Sequence, residues 1–159
     1  MTEESESRIL IVGVGNLLLG DEGVGIHAVR ELEKRSLPAY VHVVDGGTAG
    51  LNLLDLMIGH ERVIIIDAVD GGAQPGTLYR FSPQEIAEDV ERLPLSLHQM
   101  EVLNVLQLAT YLGQPLPPIV VYGIQPETID WSTELSATLR SRMEGLLHAV
   151  LNEVSETAR

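Results

Sequence analysis

The chain has 159 residues and no cysteine, and its 23 Asp and Glu outnumber its 10 Lys and Arg, which gives a formal net charge of -13. The lack of cysteine excludes disulfides, zinc–thiolate sites, iron–sulfur ligation and cysteine nucleophiles. The negative charge disfavours nucleic acid and anionic membranes as partners, and it suits a basic or metal-bearing protein partner.

The length predicts one domain over residues 1–159, with an ordered core of about residues 8–153. Residues 1–7 are acidic and polar and lack the basic and apolar regions of a signal peptide. No apolar stretch approaches the ~20 residues that span a bilayer. We therefore expect a cytoplasmic protein without membrane insertion.

Strand and helix patterns alternate along the chain. Residues 8–14 form a continuous apolar run that ends in a glycine-rich turn, as expected of a strand buried on both faces. The next predicted elements are a helix at 22–35, a strand at 40–44, a helix at 51–58 and a buried strand at 62–67. A short strand at 77–81, which could lie at an edge of the sheet, is followed by a helix that starts at the capping box 82–85 and by a loop at 92–97. The last predicted elements are a buried helix at 99–112, a strand at 119–124 and a helix at 133–154.

This alternation predicts an α/β fold, a three-layer α/β/α sandwich around a mostly parallel sheet. In such folds functional sites form at the carboxyl ends of the strands. Polar residues that directly follow a predicted strand are therefore the candidates for chemistry.

The first strand end combines glycines with two acids. Gly13-x-Gly15 is part of a dinucleotide-binding fingerprint, but the third glycine is replaced by Leu18, and Asp21 with Glu22 would repel a pyrophosphate. A nucleotide- or phosphate-binding enzyme therefore remains an alternative with little support. In a purely structural interpretation, Asp21 is a helix N-cap and Glu22 interacts with the helix dipole.

Two further strand ends and one loop carry candidate groups. Gly46, Gly47 and Thr48 follow Asp45, where paired glycines allow either a close approach to a ligand or a plain turn. Asp67 ends the third strand and could be a metal ligand, a general base or a helix cap. His98 precedes a buried helix and has either a capping or a functional role.

Glu22, Asp67 and His98 together supply two carboxylates and one imidazole. This donor set suits a borderline divalent metal and leaves coordination positions open for a substrate or water. Their separations along the chain do not show whether the three side chains lie close together in the fold. The other histidines are predicted to be structural or exposed, namely His27, His42, His60 and His148. The sequence has neither an HExxH nor a G-x-S-x-G motif.

Four motifs carry a family resemblance: GVGNLLLGDEGVG at 13–25, DGGTAG at 45–50, the strand end Asp67-Ala68, and SLHQ at 96–99. With these motifs the chain resembles the hydrogenase maturation endopeptidases over about residues 8–153. The resemblance implies an α/β/α sandwich with a twisted five-stranded sheet. It also implies removal of a C-terminal extension from the nickel-loaded precursor of a nickel–iron hydrogenase large subunit.

The same resemblance assigns roles to residues. Glu22, Asp67 and His98 match the family's metal-contacting positions. The nickel is carried by the precursor, and we expect the free enzyme to retain it weakly or not at all. The nickel could polarise the scissile carbonyl or activate a water, or one carboxylate could act as general base.

The residues around this trio are candidates for the substrate cleft. We expect Asn16, Asp21, Gly46, Gly47 and Thr48 to line it, with Asp21 also orienting the metal-contacting groups. Two other functions use the same site: a non-catalytic chaperone that holds the metal-loaded precursor, and a divalent-metal hydrolase of another substrate.

Overall fold

The computed structural model describes residues 8–48, 52–83 and 101–157, whose five strands form one sheet. The strands are β1 (Ile9–Gly13), β2 (Val41–Asp45), β3 (Arg62–Ala68), β4 (Leu78–Phe81) and β5 (Ile119–Ile124). Their spatial order is β2-β1-β3-β5-β4, and all neighbours are parallel except β4, which runs antiparallel to β5 at the edge. The predicted five-stranded, mostly parallel sheet and its short edge strand are confirmed.

In the part of the chain that the structure describes, four helices cover the two faces of the sheet. They are α1 (Val24–Glu33), α2 (Asn52–Met57), α3 (Glu101–Tyr111) and α4 (Ala137–Thr157). Buried residues of α1 and α4 share one apolar core with one face of the sheet, and those of α2 and α3 share a second core with the other face. The predicted three-layer sandwich is thus confirmed.

The continuous apolar runs are explained by burial of both faces. In β3, Val63 and Ile65 enter the core under α2 and α3, whereas Ile64 and Ile66 enter the core under α1 and α4. Because successive side chains of a strand point to opposite faces, a strand covered on both sides needs apolar residues at every position.

Two predicted helix starts precede the observed ones, by two and by four residues. The first helix was expected from residue 22, but residues Gly20–Gly23 form a 3₁₀ turn and α1 begins at Val24. The last was expected from residue 133, but α4 begins at Ala137, after Ser136 whose hydroxyl accepts a bond from the Leu139 N–H. The helix predicted from residue 82 has only its first residues described, and the loop at 92–97 lies outside the described residues.

Helix α3 is less buried than its sequence suggested. Its inner side chains are buried, but Leu108 and Tyr111 are exposed towards its end. The apolar residues around most of α3 therefore do not show that the protein buries the whole helix. Within the described residues, none of the helices has the length and apolar character needed to cross a membrane.

Helix α1 starts so close to the sheet that side chains are excluded at the contact. A Cβ on Gly25 would overlap the carbonyl oxygens of Ile66 in β3 and Val14 after β1, and a Cβ on Gly13 would overlap that of Gly25. The glycines that frame the first motif therefore let two backbones touch.

We expect Gly25→Ala to lower the free energy of unfolding by about 3 kcal/mol, because its neighbours are backbone atoms that cannot yield like a flexible side chain. Gly145→Ala is the matched control, since Gly145 lies in α4 with open space where a Cβ would lie, and the substitution should gain about 1 kcal/mol from helix propensity. Urea unfolding of both variants measures the difference in the free energy of unfolding. A Gly25→Ala variant as stable as the wild type would show that α1 can move away from the sheet without loss of stability.

Candidate functional site

The sheet has one point where the strand order reverses, between β1 and β3. From β1 the chain passes outward to β2, and it then returns to β3 on the other side of β1. The loops that leave β1 and β3 consequently diverge at their carboxyl ends, and a crevice at such a point is the usual ligand site of open α/β sheets. Glu22 and Asp67 both lie at this edge.

Glu22 is carried by the 3₁₀ turn between β1 and α1 and is partly buried. The backbone of residues 15 and 16 holds this turn in place. The Asn16 N–H donates to the Glu22 carbonyl oxygen at 3.3 Å. Gly15 has φ +146°, and the same oxygen occupies the space that a side chain at Gly15 would need. Gly15 thus fixes the position of Glu22 through its backbone.

Asp67 is the penultimate residue of β3, is partly buried and is in register with Gly123 of β5. The turn that carries Glu22 contacts β3, and Gly25 abuts the carbonyl of Ile66, the residue before Asp67. The structure therefore places the backbones of both acidic residues at the same edge of the sheet, beside the point where the strand order reverses. His98, the third predicted member, lies outside the described residues.

Asp21 is fully buried, with 0% of its surface exposed. One carboxylate oxygen accepts hydrogen bonds from the N–H groups of Glu127 and Thr128 and from the Ser136 hydroxyl, at 2.9, 3.0 and 2.8 Å. The other accepts the Ser136 N–H at 2.7 Å. Burial raises the pKa of Asp21, but these hydrogen bonds outweigh it, and the pKa lies below its usual value.

These contacts correct two predictions for Asp21. It is not the N-cap of α1, because that position is Gly23 and no side chain caps it. It does not line an open cleft either, because its carboxylate is enclosed by the loop of residues 125–136 that follows β5. Asp21 instead ties that loop to the turn that carries Glu22. A buried acid next to a candidate ligand was visible in the sequence, but its partners more than 100 positions away were not.

The end of β2 is joined to the same turn. The Gly46 N–H donates to the Gly13 carbonyl at 2.8 Å, and the Gly15 N–H donates to the Gly47 carbonyl at 2.9 Å. Gly47 has φ +59°, and its N–H donates to the Asp45 carboxylate at 2.8 Å, so the plain turn at this strand end is present. Gly46 and Gly47 therefore lie beside the first motif.

Two other predicted cleft residues lie at this edge. Asn16 is partly buried, and its side-chain oxygen accepts the Leu18 N–H at 2.9 Å, which shapes the turn. Thr48 is exposed directly after Gly47. Both positions are compatible with contact to a substrate, which stays a prediction.

A buried glutamine braces the loop after β3 and was missed by the sequence analysis. Gln125 accepts the Gly71 N–H at 2.9 Å and the Tyr79 hydroxyl at 2.8 Å through its side-chain oxygen, and its amide donates to Asp70 at 3.0 Å. These bonds hold the segment that leaves Asp67 against β4 and β5. Nothing in the local sequence around Gln125 distinguishes it from an exposed loop residue.

The glycines of the first motif are explained by packing alone. Gly13 and Gly15 face the backbones of Gly25 and Glu22, so neither is needed to make room for a phosphate. The nucleotide-binding alternative thereby loses the one feature that supported it.

Four histidines remain besides His98. His42, in the second position of β2, and His60, just before β3, are at the opposite edge, where their ring nitrogens are 3.0 Å apart. Burial and the neighbouring His42 lower the pKa of His60. His27 is partly buried on α1 and His148 is exposed on α4.

The metal site predicted from Glu22, Asp67 and His98 stays a prediction. In residues 8–48, 52–83 and 101–157 no three His, Asp or Glu side chains form a metal-binding group, and His98 lies outside these ranges. The donor set itself, two carboxylates and an imidazole, fits nickel.

Comparison with known proteins gives one consistent family. A family model described as HycI, hydrogenase maturation protease, matches residues 26–153. The hydrogenase 2 maturation protease of Escherichia coli (strain K12) is 35% identical over 152 residues, which cover 94% of this chain and 92% of that protein. The hydrogenase expression/formation protein HupD of Bradyrhizobium diazoefficiens is 35% identical over 144 residues, 89% of this chain and 75% of the relative.

Solved structures agree with these relatives. The hydrogenase maturating endopeptidase HybD from E. coli superposes with a TM-score of 0.80 at 35% identity, covering 94% of this chain and 93% of that one. The nickel–iron hydrogenase maturation protease HybD from Thermococcus kodakarensis superposes with a TM-score of 0.73 at 29% identity, covering 96% and 99%.

Proposed function

Because the chain belongs to the hydrogenase maturation protease family, we propose that it removes the C-terminal extension of a nickel–iron hydrogenase large-subunit precursor. The family match over residues 26–153 and the endopeptidase structures that share its fold support this function. The identity of the hydrogenase that it serves stays open.

The feature that supports the proposal is that Glu22 and Asp67 belong to the same edge of the sheet. The 3₁₀ turn of the first motif rests on β3, so two acidic residues 45 positions apart reach the point where the strand order reverses. Asp21 beside them is fully buried, and its carboxylate holds the loop at 125–136.

We assign the metal contacts to Glu22, Asp67 and His98. In this proposal they approach the nickel that the precursor already carries, through its open side, so nickel enters as part of the substrate. The nickel supplies Lewis acidity towards the scissile carbonyl or a bound water. A carboxylate at the crevice can take the proton of the attacking water, which is the alternative role of Glu22 or Asp67.

The extended peptide is proposed to lie over the turn after β2. Asn16, Gly46, Gly47 and Thr48 are the residues of this edge that would contact it. Gly47 has no side chain, and among the described residues no atom beyond its two chain neighbours lies within 4 Å of its Cβ position, which leaves room for a strand-like segment. A cytoplasmic location remains the expectation from the sequence.

Cleavage of a purified precursor with and without nickel tests this function. The wild type should release the extension only from the nickel-loaded precursor, and Glu22→Gln and His98→Ala should slow release by about 10²-fold or more, as expected for loss of a metal contact or general base. Glu33→Gln, an exposed glutamate at the far end of α1, is the matched control and should cleave like the wild type.

Other outcomes identify what is wrong. Tight binding of the precursor without release of a peptide indicates the chaperone function. Cleavage that is equally fast for nickel-free precursor removes the metal from the mechanism. Full activity of folded Glu22→Gln would contradict the role of that carboxylate.

A further inference from the structure

Three large apolar side chains are exposed at the same edge as the crevice. Leu18 is 53% exposed, Ile129 48% and Trp131 81%. Leu18 belongs to the turn that carries Glu22, and the other two belong to the loop at 125–136. We call these three residues the edge patch. A tryptophan exposed to this extent contributes little to the stability of the fold, and aromatic residues at a surface are enriched in protein interfaces.

Backbone pairing brings the edge patch together. The Ser132 N–H donates to the Leu18 carbonyl and the Gly20 N–H donates to the Ser132 carbonyl, both at 2.9 Å. Leu19 and Ser132 form a parallel bridge, which sets Leu18 in register with Trp131. Ile129 follows Thr128, whose carbonyl accepts the Asp21 N–H at 3.0 Å.

The loop that carries Ile129 and Trp131 is fixed in place. Asp21 binds it at Glu127, Thr128 and Ser136, and so anchors both ends of the segment between them. A surface held in this way loses little conformational freedom when a partner binds, which favours binding.

The charged residues that flank the edge patch along the chain are acidic. Glu127, Asp130 and Glu134 are exposed acids of the same loop, and neither residues 9–29 nor residues 119–139 contain Lys or Arg. Arg140, which lines a pocket with Glu134, is on the side of helix α4. An apolar centre with an acidic border fits an apolar surface that is bordered by Lys or Arg.

We propose that the edge patch is the docking surface for the body of the hydrogenase large-subunit precursor, at an apolar area with a basic border. The inference rests on the proposed function. The turn of residues 16–22 carries both Leu18 and Glu22, so any protein whose scissile bond reaches Glu22 and Asp67 must lie over or beside the patch. Docking here is separate from the metal contact and holds the precursor whether or not it carries nickel.

Trp131→Ala tests the proposal, with Tyr111→Ala as the matched control. Tyr111 is an aromatic residue that is 88% exposed at the end of α3, near the opposite edge of the sheet. Trp131→Ala should raise KM for the nickel-loaded precursor about 10-fold or more and leave kcat within about twofold, because it removes binding that is equal in ground and transition states. Tyr111→Ala should change neither constant.

Binding of nickel-free precursor, measured by titration calorimetry, separates this inference from the proposed function. The wild type should bind it, Trp131→Ala should weaken binding by a similar factor, and the triple variant Glu127→Gln, Asp130→Asn, Glu134→Gln should weaken it and flatten its salt dependence. A wild type that binds the precursor but does not cleave it even when it is loaded with nickel contradicts the proteolytic function, and docking is still supported if Trp131→Ala binds more weakly. Equal binding by wild type and Trp131→Ala, with equal thermal stability, would falsify docking at this patch.

Discussion

Glu153→Gln is expected to lower the free energy of unfolding by about 2–3 kcal/mol at neutral pH. Glu153 is only 5% exposed on α4, and it accepts hydrogen bonds from Arg62 at 2.6 Å, from two nitrogens of Arg80 at 2.9 and 3.1 Å, and from the Tyr122 hydroxyl at 2.7 Å. One carboxylate thus joins β3, β4 and β5 to the last helix. A neutral amide can replace only part of this set and would turn its own N–H groups towards other donors.

The pH dependence of stability follows from the same contacts. The hydrogen bonds from Arg80, with those from Tyr122 and Arg62, hold the pKa of Glu153 at about 2, below its usual 4.5, against the opposing effect of burial. Burial, the larger cause, and the hydrogen bond to Glu153, the smaller one, raise the pKa of Tyr122 to about 12. The Tyr122 hydroxyl therefore keeps the proton that it donates. A lowered acid pKa stabilises the fold above pH 4.5, and this contribution is lost as the pH falls towards about 2.

Urea unfolding at several pH values measures this contribution. The lowered pKa of Glu153 corresponds to roughly 3 kcal/mol of stability. Because Arg80 is more than half exposed and water screens its charge, the expected contribution is about 2–3 kcal/mol. The stability difference between wild type and Glu153→Gln should narrow between pH 4.5 and 2.

Glu144→Gln is the control on the same helix. Glu144 is 79% exposed and pairs with Arg35, so the substitution should cost less than about 0.5 kcal/mol. Equal losses for Glu144→Gln and Glu153→Gln, or a difference that does not change with pH, would contradict the assignment of the buried network.

The sequence predicted those parts of the fold that local pattern determines. Buried parallel strands need apolar residues on both faces, so β1, β3 and β5 were recognisable as runs, and β5 was placed at its observed residues. The candidate site was predicted from the same pattern. Asp67 ends such a run, Glu22 lies in the turn between another run and the first helix, and a parallel sheet brings the carboxyl ends of its strands to one edge.

The missed features depend on partners that are distant along the chain. Asp21 was expected in the substrate cleft, or as a helix cap in the structural interpretation, yet its hydrogen bonds reach residues 106 to 115 positions away. Glu153 was one of several acids on an amphipathic helix, and its partner Arg80 is 73 positions away. Gln125 similarly acts through Tyr79 and Gly71. No local pattern predicts which polar residue a fold will enclose.

Asp21→Asn is expected to lower the free energy of unfolding by about 2–4 kcal/mol and to raise KM for the precursor. The buried carboxylate accepts four hydrogen bonds, and an amide has only one oxygen to offer, so its NH₂ group would face the N–H groups of Ser136 or of Glu127 and Thr128. Because these bonds hold the loop at 125–136, the loop should be less ordered in the variant. The loss of order should extend to Trp131 in the edge patch and so raise KM.

Ser136→Ala provides the graded comparison. It removes the hydroxyl that donates to Asp21 and accepts from the Leu139 N–H, but leaves all three backbone donors in place, so it should cost only about 1 kcal/mol. The contribution of Asp21 should decline as the pH falls below its usual pKa of 3.8, since its pKa is lowered in the folded protein.

Urea unfolding and the KM for the precursor, measured on both variants, separate two roles of the loop. If Asp21→Asn destabilises the protein and raises KM while kcat per folded molecule changes little, the carboxylate acts by holding the docking surface. If kcat falls instead, the turn that Asp21 anchors must control the position of Glu22. A variant as stable as the wild type would show that the backbone pairing of Leu18, Gly20 and Ser132 holds the loop without the carboxylate.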